Sequence, residues 1–220
     1  MYLLTYGDNP SKIKYLKSKY INIGDGKKFK DLFSKFEALK EWIDEAKPDP
    51  NELLIFVDGY DVVQKRTDLE NFEKEFENFH VDLVISAETF CWPNKWMEHL
   101  FPLSPTKYRF PNSGTFAGRV WAIQKMLEWA PYRINYDDQG YVHDFYISCK
   151  SVKMALDVRQ VLFQTGTFIE WSEIDKTEAY FIHFNGNSHL KSNGESVLEE
   201  CASGQPIGAF QKRTQIWNEV

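Results

Sequence analysis

The sequence predicts an α/β fold with a mostly parallel central sheet flanked by helices. Three observations predict it. Strand-like apolar runs alternate with stretches of helical periodicity. The runs "ELLIFVDG" (52–59) and "VDLVISAE" (81–88) are apolar on both faces, as strands of a parallel sheet are. The first of them ends in Asp58 and Asp61 at the carboxyl edge of a strand, where such sheets bind ligands.

Taken in order, "MYLLTY" (1–6) supplies a first strand. In "GDGKKFKDLFSKFEALKEWIDEAKPDP" (24–50), Phe29, Leu32, Phe33, Phe36, Leu39, Trp42 and Ile43 recur at helical spacing until Pro48 ends the pattern. The doubly buried strand follows. "TDLENFEKEFENF" (67–79) is an amphipathic helix with Leu69, Phe72, Phe76 and Phe79 on one side. "VDLVISAE" is the next strand. "FPNSGTFAGRV" (110–120) reads as a turn followed by a strand, and "VWAIQKMLEWA" (120–130) as a helix stopped by Pro131. "YDDQGYVHDFYISCK" (136–150) reads as a helix opened by acids, which favour a helix N-terminus. "VKMALDVRQVLFQT" (152–165) and "AYFIHFNGN" (179–187) supply the later strands.

The chain of 220 residues, 43% hydrophobic and 16% aromatic, is expected to form a single domain with a substantial core over 1–220. A net charge of −6 argues against a nucleic-acid or membrane-surface binder, which presents a basic face. The N-terminal apolar stretch is too short for a signal sequence and no stretch reaches membrane-spanning length, so a cytoplasmic protein is expected. Cys91, Cys149 and Cys201 are odd in number, lack metal-site spacing and read as reduced thiols.

Asp58 and Asp61 carry the clearest chemistry. Two carboxylates in one tight turn repel unless a cation lies between them. Gly59 lets the backbone bend there, and hard ions such as Mg²⁺ or Mn²⁺ take oxygen ligands while keeping places for phosphates. Such a turn can also simply cap a following helix. "YDDQ" (136–139) is a second acidic pair, itself compatible with an ordinary helix start. His183, in "FIHFNGN" (181–187), precedes an Asn/Gly-rich turn. "SAETFCWPNKW" (86–96) and "FPNSGTFAG" (110–118) each place polar groups after an apolar run.

Together "LLIFVDGYDVV" (53–63), "VISAETFCWP" (84–93), "RFPNSGTFAG" (109–118), "YDDQ", "FQT" (163–165) and "IHFNGN" (182–187) resemble the glycosyltransferase domain of the procollagen lysyl hydroxylases. More distantly they resemble the wider collagen-type glycosyltransferases. The segments stand in that family's order, from the first strand to about residue 190. The resemblance implies a GT-A type, Rossmann-like fold that binds a UDP-sugar with Mn²⁺ or Mg²⁺. It implies Asp58, Asp61 and His183 as metal ligands and Asp137 and Asp138 as catalytic carboxylates. It implies Thr5, Lys35, Tyr60, Asn112, Asn185 and Gly186 around the nucleotide-sugar, with Trp92 as an apolar wall.

Three positions depart from the family pattern. Gly59 replaces a small hydroxyl residue, the acidic run is reduced to two aspartates, and Phe184 replaces a glycine. No iron-dependent hydroxylase part or secretory signal accompanies the segments, so the expected form is a stand-alone microbial or viral module, in a host cytoplasm or virion if viral.

The implied reaction moves a sugar from UDP-glucose, UDP-galactose or UDP-GlcNAc to a hydroxyl acceptor, with hydroxylysine or galactosyl-hydroxylysine of a collagen-like protein among the candidates. A base beside the acceptor would favour inversion of the anomeric centre, and its absence a front-side or double-displacement route. A metal-dependent nucleotidyltransferase or phosphotransferase also uses strand-end aspartates. A non-catalytic nucleotide- or glycan-binding module is the reading outside enzymology.

Overall fold

Leu53, Leu54, Ile55, Phe56 and Val57 are consecutive and all fully buried, which requires cover on both faces of their strand. In the computed structural model that strand lies inside a six-stranded sheet. The structure describes residues 1–129, 137–186, 188, 190 and 196–207. In chain order the elements are β1 (Tyr2–Tyr6), β2 (Ile21–Asn22), α1 (Ser34–Ala46), β3 (Leu53–Asp58), β4 (Val62–Gln64), α2 (Leu69–Glu77), β5 (Leu83–Glu88) and β6 (Phe110–Arg119). Then come α3 (Val120–Leu127), α4 (Asp138–Ser148), β7 (Met154–Asp157), β8 (Phe163–Thr165), α5 (Trp171–Lys176), β9 (Phe181–His183) and α6 (Leu198–Ser203).

The main sheet runs β2-β1-β3-β6-β5-β7, and β6 alone is antiparallel to its neighbours. A smaller sheet, β4-β9-β8, stands beside it. Strand periodicity divides the core. Leu54 and Phe56 join Phe36, Leu39, Phe116 and Ile123 in one cluster. Leu53, Ile55 and Val57 join Phe72, Phe76, Phe163 and Phe181 in another. Alternate residues of β3 thus face α1 and α3 on one side, and α2 with the small sheet on the other.

The expected strands and helices are present, with two differences that matter. Helical spacing from Phe29 placed the first helix too early: α1 starts at Ser34, and Phe29 and Leu32 are 47% and 52% exposed. Short polar side chains take the backbone there. Ser34 Oγ accepts from Lys30 N and Asp31 N, and Asp31 Oδ1 accepts from Phe33 N, an alternative to helical bonding. At its other end α1 stops as expected, with Lys47 left-handed at φ 48° just before Pro48.

The turn expected in "FPNSGTFAG" is instead part of one long strand with an irregularity. Opposite β5 the pairing jumps from Ile85–Phe116 to Ser86–Asn112, leaving Ser113, Gly114 and Thr115 out of register. Such bulges re-aim side chains at sheet edges and sites. Tyr136 and Pro131 lie outside the described residues. No helix among the described residues is long and apolar enough to cross a membrane.

Candidate active site

Asp58 ends β3, and Asp61 immediately precedes β4. Between them the chain turns against the end of β1. A Cβ on Gly59 would stand 2.4 Å from Tyr6 O, so the turn has room only for glycine. This accounts for the absence of a hydroxyl side chain at that position. β4 pairs with β9 in a register that sets Val62 against His183, and Phe184 N–H donates to Asp61 O at 2.9 Å. The ligating atoms of Asp58, Asp61 and His183 consequently lie within 4.8 Å of one another. His183 Nε2 is 3.4 Å from Asp61 Oδ2 and 3.7 Å from Asp58 Oδ2. Gly114 forms the floor: a Cβ there would fall 2.0 Å from His183 Cε1 and 2.7 Å from Asp58 Oδ2.

Two carboxylates and one imidazole suit Mn²⁺ or Mg²⁺, with the oxygen-rich balance that hard ions prefer. A hydrogen bond from behind fixes which imidazole nitrogen faces the aspartates. Asn112 Oδ1 accepts from Gly114 N at 3.0 Å, which fixes the oxygen end of the carboxamide. His183 Nδ1, 2.9 Å from the same oxygen, must therefore carry the proton and donate it, leaving Nε2 to face the aspartates. Burial alone would depress the His183 pKa, but the adjacent Asp61 and Asp58 carboxylates raise it overall. Burial likewise pushes Asp58 up, whereas at Asp61 burial is opposed by the charge and hydrogen bond of His183 together with Lys35, and the pKa falls.

Beside this cluster Lys35, from the first turn of α1, is buried between two acids. Its Nζ lies 3.0 and 3.1 Å from the two Asp58 carboxylate oxygens and 2.6 Å from Asp138 Oδ2. Burial would lower the lysine pKa, but Asp138 and Asp58 raise it above its ordinary range. Ser113 Oγ, on the irregular part of β6, also donates to Asp138 Oδ2 at 2.6 Å. The adjacent aspartates divide their work. Asp138 enters the buried ion pair, while Asp137 caps α4, accepting from Gln139 N at 2.9 Å and Gly140 N at 3.4 Å. Burial and the neighbouring Asp138 charge raise the Asp137 pKa.

Glu88, which sequence reasoning did not single out, ends β5 at the same edge. Its Oε2 accepts from Asn185 Nδ2 at 2.6 Å and Asn112 Nδ2 at 3.4 Å, and its Oε1 from Gln139 Nε2. Gln139 also joins Asn112 at 3.1 Å and Trp92 O at 2.8 Å. Burial pushes the Glu88 carboxyl up to about 7, against the lowering effect of those amides. The available signal was an acid closing the "VDLVISAE" strand, in the same position that Asp58 occupies in its own strand.

The remaining residues expected here lie around this cluster. Asn112 is buried with its carboxamide engaged, so it acts on His183 and Glu88. Thr5 lies beneath Gly59, fully buried, its hydroxyl without a hydrogen-bond partner among the described residues. The Tyr60 hydroxyl donates to Asp8 Oδ1 at 2.5 Å and accepts from Asn9 N at 2.7 Å, leaving its ring partly exposed. Asn185 keeps a buried Oδ1 with no hydrogen-bond partner among the described residues, and Gly186 follows at φ 61°. Trp92 is exposed. A separate buried pair, Cys91 Sγ and His143 Nδ1 at 3.8 Å, is unsuited to nucleophilic work. Burial holds the thiol near 11 and the imidazole near 4.

Family and fold define the class: this is a glycosyltransferase domain with a GT-A type fold. Its fold is similar to the crystal structure of a glycosyltransferase involved in glycosylation of the major capsid of PBCV-1. The TM-score is 0.51 at 13% identity, over 91% of this chain and 96% of that one. The chain belongs to the PLOD GT domain family, whose model matches residues 17–178. Over 181 residues it is 30% identical to a multifunctional procollagen lysine hydroxylase and glycosyltransferase of Caenorhabditis elegans, covering 73% of this chain and 25% of that protein. An uncharacterized protein of Acanthamoeba polyphaga mimivirus is 29% identical over 142 residues, 64% of this chain and 29% of that protein. The chain thus spans about a quarter of the length of these curated relatives.

Proposed function

We propose that this domain transfers a hexosyl group from a UDP-sugar to a hydroxyl acceptor, using Mn²⁺ or Mg²⁺ held by Asp58, Asp61 and His183. The convergence of those three side chains at the carboxyl edge of β3 carries the proposal. When bound, the ion supplies positive charge opposite the departing diphosphate. The bond between the anomeric carbon and the diphosphate oxygen breaks, and that oxygen keeps the electron pair. The acceptor oxygen bonds to the carbon and gives up its proton.

Asp138, held in place by Lys35 and Ser113, stabilises the positive charge that develops at the sugar. Glu88 suits the acceptor's proton. Burial lifts its carboxyl to about 7, and among the described residues three amide donors leave it one lone-pair site. Asp137 holds the start of α4, and so Asp138, in place. Tyr60 and the Asn185–Gly186 turn border the space for the nucleotide-sugar.

A collagen-like acceptor, hydroxylysine or galactosyl-hydroxylysine, is supported by the names of the relatives. The deciding experiment incubates the protein with UDP-glucose, UDP-galactose or UDP-GlcNAc and a hydroxylysine-containing collagen peptide, with and without Mn²⁺. Ion-dependent UDP release with sugar on the peptide is the expected result. Pyrophosphate release, or binding without turnover, would favour a nucleotidyltransferase or a binding module instead.

A further inference from the structure

Lys35 and the proposed ion compete for the same carboxylate. The Asp58 oxygens sit 3.0 and 3.1 Å from Lys35 Nζ, yet Asp58 also belongs to the cluster with Asp61 and His183. The ammonium has nowhere else to go. It is buried and its second partner is Asp138 Oδ2 at 2.6 Å. Its Nζ lies over the Phe36 ring, 5.7 Å from the centroid. Among the described residues the charged groups around the site are Asp58, Asp61, Asp137 and Asp138 against Lys35, with His183 between the first two and Glu88 near enough to feel the imidazole's charge.

A divalent ion arriving there meets a carboxylate already bonded on both oxygens and a fixed positive charge beside it. Like charges in a partly desolvated site repel far more strongly than in water. A nucleotide diphosphate brings the negative charge that offsets both cations.

We propose that Lys35 is a positioning residue, a built-in counter-cation that holds the ion-free site together and makes loading of the divalent ion depend on the nucleotide diphosphate. The inference rests on the proposed ion site. It differs from a simple nucleotide contact in its sign: removing Lys35 strengthens ion binding in the absence of nucleotide. Asp58 is then free to turn to the ion, and the repulsion is gone. The same removal weakens the ion-free fold, because Asp138 is left buried with Ser113 as its remaining side-chain partner among the described residues.

The test is calorimetric titration of Mn²⁺ into the whole protein, with and without UDP, together with the melting temperature of the ion-free protein. Wild type is expected to bind Mn²⁺ at least about tenfold more tightly with UDP than without it. Lys35→Met is expected to bind Mn²⁺ alone at least about tenfold more tightly than wild type, to lose most of the UDP enhancement, and to melt earlier when ion-free. Lys35→Gln keeps an N–H donor for Asp138 and gives the same readout if the methionine variant does not fold. Lys35→Arg should retain the UDP enhancement.

Wild type that binds Mn²⁺ with UDP, while both neutral variants bind Mn²⁺ alone no more tightly than wild type does, overturns the role of Lys35 and leaves the ion site standing. Wild type that binds no Mn²⁺ even with UDP overturns the ion site and this inference together.

Discussion

Asn112 Oδ1 accepts a hydrogen bond from His183 Nδ1 at 2.9 Å, and this contact aims the other imidazole nitrogen at Asp58 and Asp61. The two residues are 71 positions apart in sequence. They meet because β6 bulges opposite β5 while β9 pairs with β4. Groups that orient an imidazole ligand are typically worth roughly 10- to 100-fold in metal affinity. Asn112→Ala should therefore weaken Mn²⁺ binding by about that factor, measured calorimetrically with UDP present.

Gly114 is under a different constraint, one of space. Its missing side chain leaves room for His183 Cε1, 2.0 Å from where a Cβ would stand. Gly114→Ala must push His183 and Asp58 apart. Overpacking of this kind typically costs about 1–3 kcal/mol. The variant should melt several degrees lower and lose most of its Mn²⁺ affinity. Gly26→Ala, in open space but at a φ of +71° that strains any L side chain, should lose about 1–2 kcal/mol of stability yet keep that affinity.

Glu88 makes stability depend on pH. Its folded pKa is raised from 4.5 to about 7 by burial, so the folded protein binds this proton more tightly than the unfolded chain does. The resulting stabilisation is complete below about 4.5 and is lost as pH rises through about 7. A shift of that size corresponds to about 3 kcal/mol. Urea denaturation at pH 5 and pH 8 should show wild type losing more stability across this window than Glu88→Gln.

The onset of α1 predicts a contrast between two leucines of the same periodic pattern. Leu39 is fully buried against the sheet, and Leu39→Ala should cost about 2–5 kcal/mol. Leu32 precedes the helix and is exposed, so Leu32→Ala should change stability by about 0.5 kcal/mol or less. Denaturant melts of both variants check the difference.

These leucines also show what could be read in the sequence and what could not. Apolar runs marked β1, β3 and β5, because a strand covered on both faces leaves no polar position to disguise it. Periodicity marked α1, but it could not show that Asp31 and Ser34 would bond the backbone and delay the helix. Asp58, Asp61 and His183 stood out individually. That they converge depends on the pairing of β4 with β9, two three-residue strands too short to announce a register. The Lys35 and Glu88 networks join residues distant in the chain through side chains alone, so no local pattern encodes them.

The central claim is that Asp58, Asp61 and His183 hold a divalent ion against a nucleotide diphosphate. A crystal grown with Mn²⁺ and UDP, with anomalous data collected at the manganese edge, tests it most directly. One strong anomalous peak is expected, within coordination distance of all three side chains and of UDP phosphate oxygens. Bound UDP with no anomalous peak among those three residues would contradict it.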